Sequence, residues 1–178
     1  MKHHSDDLIM LFHDLFRDKY RTQLVKGGSE PEYTPAAGPG QLARVVFTHD
    51  FYASALHEVS HWCIAGARRR GLTDYGYWYC PDGRTPAQQV AFEAAEIRPQ
   101  ALEWLFSVAA GSAFHISLDN LDGEGSDEPE FRRKVTAQAN AYLGNGMPER
   151  AGMFHQALLT FYGRRACFLD LWNAGAHH

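Results

Sequence analysis

The chain has 178 residues, of which 45% are hydrophobic and 13% aromatic, so it is long enough to bury one substantial core. Its formal net charge of −4, from 17 basic and 21 acidic residues, provides no broad positive field, and we expect neither nucleic acid nor membrane as a partner. The three cysteines show no C-x-x-C spacing, no apolar run is long enough to span a membrane, and there is no signal-peptide pattern. We therefore expect a cytoplasmic protein, with one domain over residues 1–178 that is a monomer.

The first third of the chain predicts a helix, a connection and a strand. Ser5 precedes apolar residues at three- and four-residue spacing, which indicates an amphipathic helix. Residues 27–40 are rich in glycine and proline and indicate a surface connection. Val45-Val46-Phe47 then predicts a short buried strand that leads directly into the next helix.

This next helix is expected to begin at a cap provided by Asp50 or Ser54 and to end near Ala67. An aromatic loop or strand follows over residues 71–83. The helical pattern then resumes, and Pro99 is expected to kink or divide it.

The last third predicts a solvated acidic loop over residues 119–130 and two final helices, one ending near Gly144 and one over about residues 148–163. The whole pattern predicts an α+β fold that is mostly helical, with the helices around a small sheet.

The motif that bears most directly on chemistry is His57-Glu58-Val59-Ser60-His61, in the interior of the second predicted helix. Residues four apart lie one turn above each other, so both imidazoles can bind one divalent transition metal. Glu58 lies about 100 degrees round the helix, where a carboxylate can contact metal-bound water as a base. Such a short motif also arises by chance on solvent-facing helices, but the preceding strand and the small and aromatic neighbours favour a metal site.

A third ligand is needed, and Ala67 stands where the longer zincin pattern H-E-x-x-H-x-x-G-x-x-H requires its third histidine. Glu93, Glu96 and Glu103 lie in the next helical region. Glu96 borders the predicted apolar stripe and is our expected ligand, whereas Glu93 points away and is the alternative. Glu103 lies past Pro99 and is interpreted as a solvated flank residue. This ligand set leaves open coordination positions and suits either zinc or non-haem iron.

Three segments, residues 49–66, 74–84 and 98–106, resemble the bacterial elongation factor P hydroxylase family, and a looser similarity extends from about Leu24 to Tyr162. The resemblance implies a metal-dependent hydroxylase whose partner is elongation factor P. Its substrate would be the lysine already extended with a β-lysyl group, and the hydroxyl would be added to the original lysine side chain. The resemblance also implies a zincin-like helical arrangement with a small sheet. The C-terminal His177-His178 departs from the family pattern.

This implied reaction bears on the metal. Hydroxylating an unactivated C–H bond requires a redox metal with positions open to dioxygen, which indicates Fe(II) rather than zinc. The usual 2-oxoglutarate enzymes use an H-x-D/E motif, and His4-Ser5-Asp6 lacks the strand context for it, so no 2-oxoglutarate is expected.

The substrate side follows from the charge of a lysyl-lysine arm, which suits aromatic faces and carboxylates. Tyr75, Trp78 and Asp82 follow the metal helix and are candidates for substrate binding, although alternate aromatic residues of a strand also pack into cores. His49, near the start of the metal helix, is a candidate to support a metal ligand, or it is an ordinary hydrogen-bonded histidine.

Two other functions remain open on the motif alone. A zinc metallopeptidase would use the same histidines, with Glu58 as the base. A non-catalytic protein-binding module would use the metal as a structural staple, in a closed site with four protein ligands.

Overall fold

The computed structural model describes residues 2–77, 84–118 and 127–175. Residues 119–126 of the acidic loop expected over residues 119–130 and the C-terminal His177-His178 lie outside these ranges. The expectation is wrong for residues 128–130, which begin a helix. Within them the chain is mostly helical with one three-stranded sheet, which confirms the α+β class. Within the same ranges, no helix combines the length and the apolar character that crossing a membrane requires.

The helices are α1 (Ser5–Phe12), α2 (Asp18–Tyr20), α3 (Tyr52–Ile64), α4 (Pro86–Ala110), α5 (Glu128–Asn145), α6 (Glu149–Phe161) and α7 (Phe168–Gly175); a π-helical turn, His13–Arg17, joins α1 to α2, and short 3₁₀ turns span Arg69–Gly71 and Thr73–Gly76.

The sheet has the order β1-β3-β2. Its strands are β1 (Thr22–Lys26), β2 (Glu32–Thr34) and β3 (Ala43–Phe47). β3 lies in the centre, parallel to β1 and antiparallel to β2. Val45, Val46 and Phe47 are all buried, which confirms the predicted buried strand and indicates that both faces of β3 are covered.

Helix α3 follows β3 after a four-residue connection, but neither expected residue caps it. The helix begins at Tyr52 after an extended Phe51, and no side chain accepts a capping hydrogen bond. Ser54 lies inside the first turn, where its Oγ accepts the N–H of Thr48 at 3.0 Å. The helix ends at Ile64, so the expected cap at Asp50 or Ser54 and the end near Ala67 are both wrong.

Pro99 is expected from the sequence to kink or divide the helical pattern. Helix α4 is continuous through Pro99, so a division at this proline is wrong. Thr85 and Gln88 form a capping box at the start, and Gly111 ends the helix in the left-handed conformation, with φ of 78°. The helix packs against α3, α5, α6 and α7, and Pro99 itself is buried. Tertiary packing on several sides holds this helix together despite the lost backbone hydrogen bond.

The core closes around Trp62 on α3, which is fully buried. The rings of Phe12 and Phe16 each lie 4.9 Å from the Trp62 ring, centroid to centroid, and Tyr20 lies at 5.5 Å. Arg150 of α6 covers the Trp62 ring at 4.5 Å. The guanidinium also donates to backbone carbonyls at the end of α3, those of Trp62 at 2.9 Å, Cys63 at 3.1 Å and Ala65 at 2.6 Å. The apolar face of α3 is therefore fixed against the core, and the opposite face of the helix is available for a functional site.

Candidate metal centre

Helix α3 directs His57 and His61 to the side that packs against α4. The two residues are one turn apart, and their Nε2 atoms lie 3.1 Å from each other. His61 is nearly buried, whereas the side chain of His57 is 28% exposed. Two nitrogen ligands thus face one point, as the four-residue spacing requires.

Helix α4 brings the carboxylate of Glu96 to the same point. Glu96 is 2% exposed, and its Oε1 lies 3.1 Å from His61 Nε2 while its Oε2 lies 3.6 Å from His57 Nε2. One ligand atom from each of the three residues lies within 4.8 Å of the other two, so one cation can contact all three. The donor set fits a divalent transition metal.

The charge of Glu96 also fits a metal ligand. Burial raises the pKa of its carboxyl, but the charges of His61 and His57, with hydrogen bonds from His61 and Gln100, outweigh burial and lower the pKa to about 2. Glu96 is therefore a carboxylate at neutral pH, the form that binds a metal.

Glu103 lies two helical turns after Glu96 on α4 and contacts His57. Its Oε2 lies 2.8 Å from His57 Nδ1, and the residue is only 8% exposed. The interpretation of Glu103 as a solvated flank residue is therefore wrong. A carboxylate on Nδ1 keeps the proton at that nitrogen and leaves the Nε2 lone pair for a metal. The seven-residue spacing from Glu96 was the signal for it, because residues seven apart share a helix face.

Glu103 also sets the charge of His57 in the metal-free protein. Burial lowers the pKa of His57, but the hydrogen bond and charge of Glu103, with the charges of Glu96 and Glu58, outweigh burial and raise the pKa to about 10. The imidazole therefore carries a second proton and a positive charge at neutral pH, and a metal ion would displace this second proton.

Gln100 holds Glu96 in place from one turn further along α4, and the sequence reasoning missed it. Its Nε2 donates to Glu96 Oε2 at 3.2 Å and to the carbonyl of Ser117 at 2.6 Å, and its Oε1 accepts the N–H of Ser117 at 3.0 Å. The side chain thus connects the expected ligand to the extended segment after α4. A metal ligand that is hydrogen-bonded by a residue outside the metal-binding group keeps its orientation.

Glu58, His57 and His61 line a cleft of about 640 Å³. Burial raises the pKa of Glu58, whereas the charges of His57 and His61 lower it, and the net direction is upward. Glu58 lies beside the group that could hold a metal without being part of it. Its carboxyl can therefore contact a molecule that enters the cleft.

The other expected site residues are placed as follows. Tyr75 lines the cleft, while Trp78 and Asp82 lie outside the described residues. His49 is exposed, its ring 5.3 Å from that of Phe51, and it is not among the described residues that line the cleft. Glu93 accepts a hydrogen bond from a glutamine one turn earlier on α4 and does not belong to the described metal-binding group.

Residues from three further segments line the cleft without having been singled out from the sequence. Glu30 and Glu32 come from the start of β2, Arg84 precedes α4, and His115 and Ser117 follow it. Because the contacts are made across the fold, short-range sequence patterns contain no signal for them.

Comparisons with known proteins agree with this geometry. The family model described as elongation factor P hydroxylase matches residues 11–171. The chain is also 45% identical, over 162 residues that make up 91% of each chain, to the elongation factor P lysine hydroxylase of Haemophilus influenzae.

Proposed function

The chain belongs to the elongation factor P hydroxylase family, and we propose that it hydroxylates a lysine of that factor at one metal ion held by His57, His61 and Glu96. The activity is that of an oxidoreductase acting on a protein side chain. The observation that carries the proposal is the group of two imidazoles and one buried carboxylate facing an open cleft. Such a cleft is within the size range of pockets that take a long side chain.

The proposed metal is Fe(II). Adding a hydroxyl to an unactivated C–H bond needs a redox metal with positions open to dioxygen, and zinc has no redox chemistry to offer. The ligand set alone suits either iron or zinc, so the proposal of Fe(II) rests on the reaction. We propose no 2-oxoglutarate, because an HExxH helix with a distant glutamate differs from the H-x-D/E motif of enzymes that use it.

The chain's own residues would hold the metal and orient its ligands. Glu103 accepts the Nδ1–H of His57 and so directs the Nε2 lone pair toward the metal position. Gln100 fixes the carboxylate of Glu96. Glu58 would orient a ligand or hold the amine of the substrate, because its carboxyl faces the cleft beside the histidines.

The proposed substrate is the lysine of elongation factor P that already bears a β-lysyl group. The carboxylates that line the cleft suit its cationic arm. We also propose that the enzyme works as a monomer in the cytoplasm, where a translation factor is available. An HExxH helix paired with a glutamate from the following helix supports a zincin-like arrangement.

The alternatives lack a specific observation in their favour. A structural staple calls for a closed set of four protein ligands, whereas the described group has three and faces a cleft. A zinc peptidase would share the ligands, but the 45% identical relative is named a hydroxylase.

The test incubates iron-loaded protein with lysylated elongation factor P, a reductant and ¹⁸O-labelled dioxygen, followed by intact mass analysis. We expect the factor to gain one labelled oxygen atom, with none under nitrogen or with zinc-loaded protein. Peptide cleavage by the zinc-loaded protein, with no oxygen gain under any condition, would replace the hydroxylase proposal with the peptidase.

A further inference from the structure

The lining of the cleft is strongly acidic. Six of its described residues carry carboxylates, Glu30, Glu32, Glu58, Asp74, Glu96 and Glu103, against one arginine, Arg84, and three histidines, His57, His61 and His115. A low-dielectric cleft lined by one sign of charge concentrates ligands of the opposite sign. The lining therefore favours a cationic ligand.

Three of these carboxylates already have partners in the fold. Glu96 and Glu103 contact the metal histidines, and Asp74 accepts the N–H of Tyr33 at 2.8 Å. Glu30 and Glu32 are exposed and form no ion pair with any residue in the described ranges. They lie at the start of β2, on the same wall of the cleft as the Asp74 turn. Their charges are available to a ligand.

Tyr75 on this wall is a second, independent sign of a ligand. The residue is 5% exposed and lines the cleft, yet its hydroxyl has no hydrogen-bond partner among the described residues. A buried hydroxyl without a partner is unfavourable and rare. A polar group that reaches this hydroxyl from the cleft would satisfy it.

The fold holds Tyr75 in this position against backbone strain. Asp74 and Tyr75 both adopt left-handed conformations, with φ of 47° and 57°. The Asp74 carboxylate fixes the turn to β2, the ring of Tyr75 stacks on Tyr33 at 4.3 Å, and Arg69 donates to the Tyr75 carbonyl at 3.2 Å. Two consecutive strained residues that are held by this many contacts are typical of functional sites.

We propose that Glu30, Glu32 and the Tyr75 hydroxyl form a subsite for the terminal primary ammonium end of the substrate arm, outside the group of residues that could hold the metal. This subsite would distinguish a lysylated lysine from an unmodified one, because only the extended arm brings an ammonium group to this wall. The inference rests on the proposed function and adds the residues that select its substrate.

The first test measures binding under nitrogen, without turnover, by titrating metal-loaded protein with lysylated and with unmodified elongation factor P in a calorimeter. The double substitution Glu30→Gln with Glu32→Gln should weaken binding of the lysylated factor by about 5-fold to 20-fold, as expected for one or two partly exposed ion pairs. Binding of the unmodified factor should change less than about 2-fold, because it lacks the distal ammonium group. In air, the same variant should raise KM with little change in kcat.

Glu149→Gln is the matched control, because Glu149 is an exposed glutamate on α6 outside the described lining of the cleft. It should leave both affinities unchanged. Equal weakening for both forms of the factor, or no weakening for the lysylated form, would overturn the subsite. Wild-type protein that neither binds nor hydroxylates the lysylated factor would instead overturn the proposed function, so the two failures are distinguishable.

Tyr75→Phe separates a ligand role from a structural one. Removing an unpartnered buried hydroxyl should leave the melting temperature unchanged or raise it, while binding of the lysylated factor weakens about 3-fold. Tyr33→Phe is the comparison, because its hydroxyl donates to the carbonyl of Arg70 at 2.8 Å, and its loss should lower the melting temperature. A Tyr75→Phe variant that melts lower yet binds normally would show the hydroxyl to be structural.

Discussion

Glu96, the proposed metal ligand on α4, has a neighbour of the same residue type that the structure keeps out of the metal-binding group. Glu96 lies against both histidines, whereas Glu93, three residues earlier on α4, bonds to Gln89 instead. This contrast supplies matched substitutions that differ only in their position on the helix.

We expect the purified protein to hold about one metal ion per chain, and Glu96→Ala, His57→Ala or His61→Ala should remove it. Glu93→Ala should leave the metal content unchanged. Elemental analysis of each purified variant measures this directly, and circular dichroism confirms that each is folded. Full metal occupancy in Glu96→Ala, or an empty site in Glu93→Ala, would show that the ligand set is wrong.

The contact of Glu103 with His57 predicts a smaller loss of metal affinity than the removal of a ligand causes. Glu103→Gln keeps the shape of the side chain but removes the charge that orients the imidazole, so metal affinity should fall by about 10-fold to 100-fold without being abolished. Competition with a chelator of known affinity gives the value. Wild-type affinity in Glu103→Gln would mean that the hydrogen bond does not orient the ligand.

Glu58 distinguishes the two enzyme mechanisms that an HExxH motif allows. In a peptidase the general base contributes about 100-fold to 10,000-fold, so Glu58→Gln would eliminate hydrolysis. In the proposed hydroxylase Glu58 orients a ligand or holds the substrate amine, so Glu58→Gln should retain the metal and lose oxygen incorporation only in part. Labelled dioxygen and mass analysis measure the residual rate. A complete loss of hydroxylation with full metal content would give Glu58 an indispensable chemical role.

At the scale of the elements, the uninterrupted α4 decides how much of the site could be read from the sequence. The four-residue spacing of His57 and His61 predicted the convergence of their imidazoles, because it depends only on one helix turn. Glu96, Gln100 and Glu103 also repeat at four and three residues, and a helix assumed continuous would have placed all three on one face. The expectation of a break at Pro99 hid Glu103, because propensity rules do not include the packing that holds this helix together.

The pairing of Gln100 with Ser117 predicts a stability effect that extends from one element to the next. Gln100→Leu would remove two hydrogen bonds to the backbone of Ser117 and one to the Glu96 carboxylate. A hydrogen bond contributes about 0.5–1.5 kcal/mol net, so we expect the loss of three to lower the free energy of unfolding by about 2 kcal/mol. Urea unfolding of the metal-free protein gives the value, with the exposed Gln156→Leu as control. Equal stability of the two variants would contradict the proposed connection.

At the scale of the whole molecule, the sequence predicted the α+β class but not which surfaces meet. The cleft combines residues from β2, the Asp74 turn, α3, α4 and the segment after α4. Glu30 and Glu32 have no local pattern that links them to His57; the antiparallel pairing of β2 with β3 and the contacts of Tyr33 with the Asp74 turn position this segment. Long-range assembly of this kind is not encoded in the periodicity of any one segment.

Metal binding should stabilise the whole fold, because its ligands come from two helices that pack in the core. A metal concentration of about 100 times the Kd adds about 2.7 kcal/mol to the free energy of unfolding. Calorimetric melting with and without added metal should show the increase in wild-type protein and none in His61→Ala. An equal increase in both would place the stabilising ion elsewhere.

This stabilisation should depend on pH in a definite direction. The pKa of His57 is raised from 6.5 to about 10 in the metal-free fold, so its proton stabilises that fold below about pH 6.5, and the contribution is lost as pH rises toward 10. The metal must displace the same proton, so metal affinity should rise with pH over this range, by up to about 10-fold per unit. The metal-induced increase in melting temperature should therefore be larger at pH 8 than at pH 6.5. A smaller increase at the higher pH would contradict the assignment of this proton.

The guanidinium of Arg150 beneath the last turn of α3 has a consequence for hydrogen exchange. The final carbonyls of a helix normally have no partner within it, and helices fray from such ends. Here those of Trp62, Cys63 and Ala65 are held by a cation from another helix, so the turn that follows His61 opens only when α6 separates from α3. The amide protons in the last turn of α3 should therefore exchange with deuterium as slowly as those in the middle of the helix, with no faster-exchanging C-terminal end.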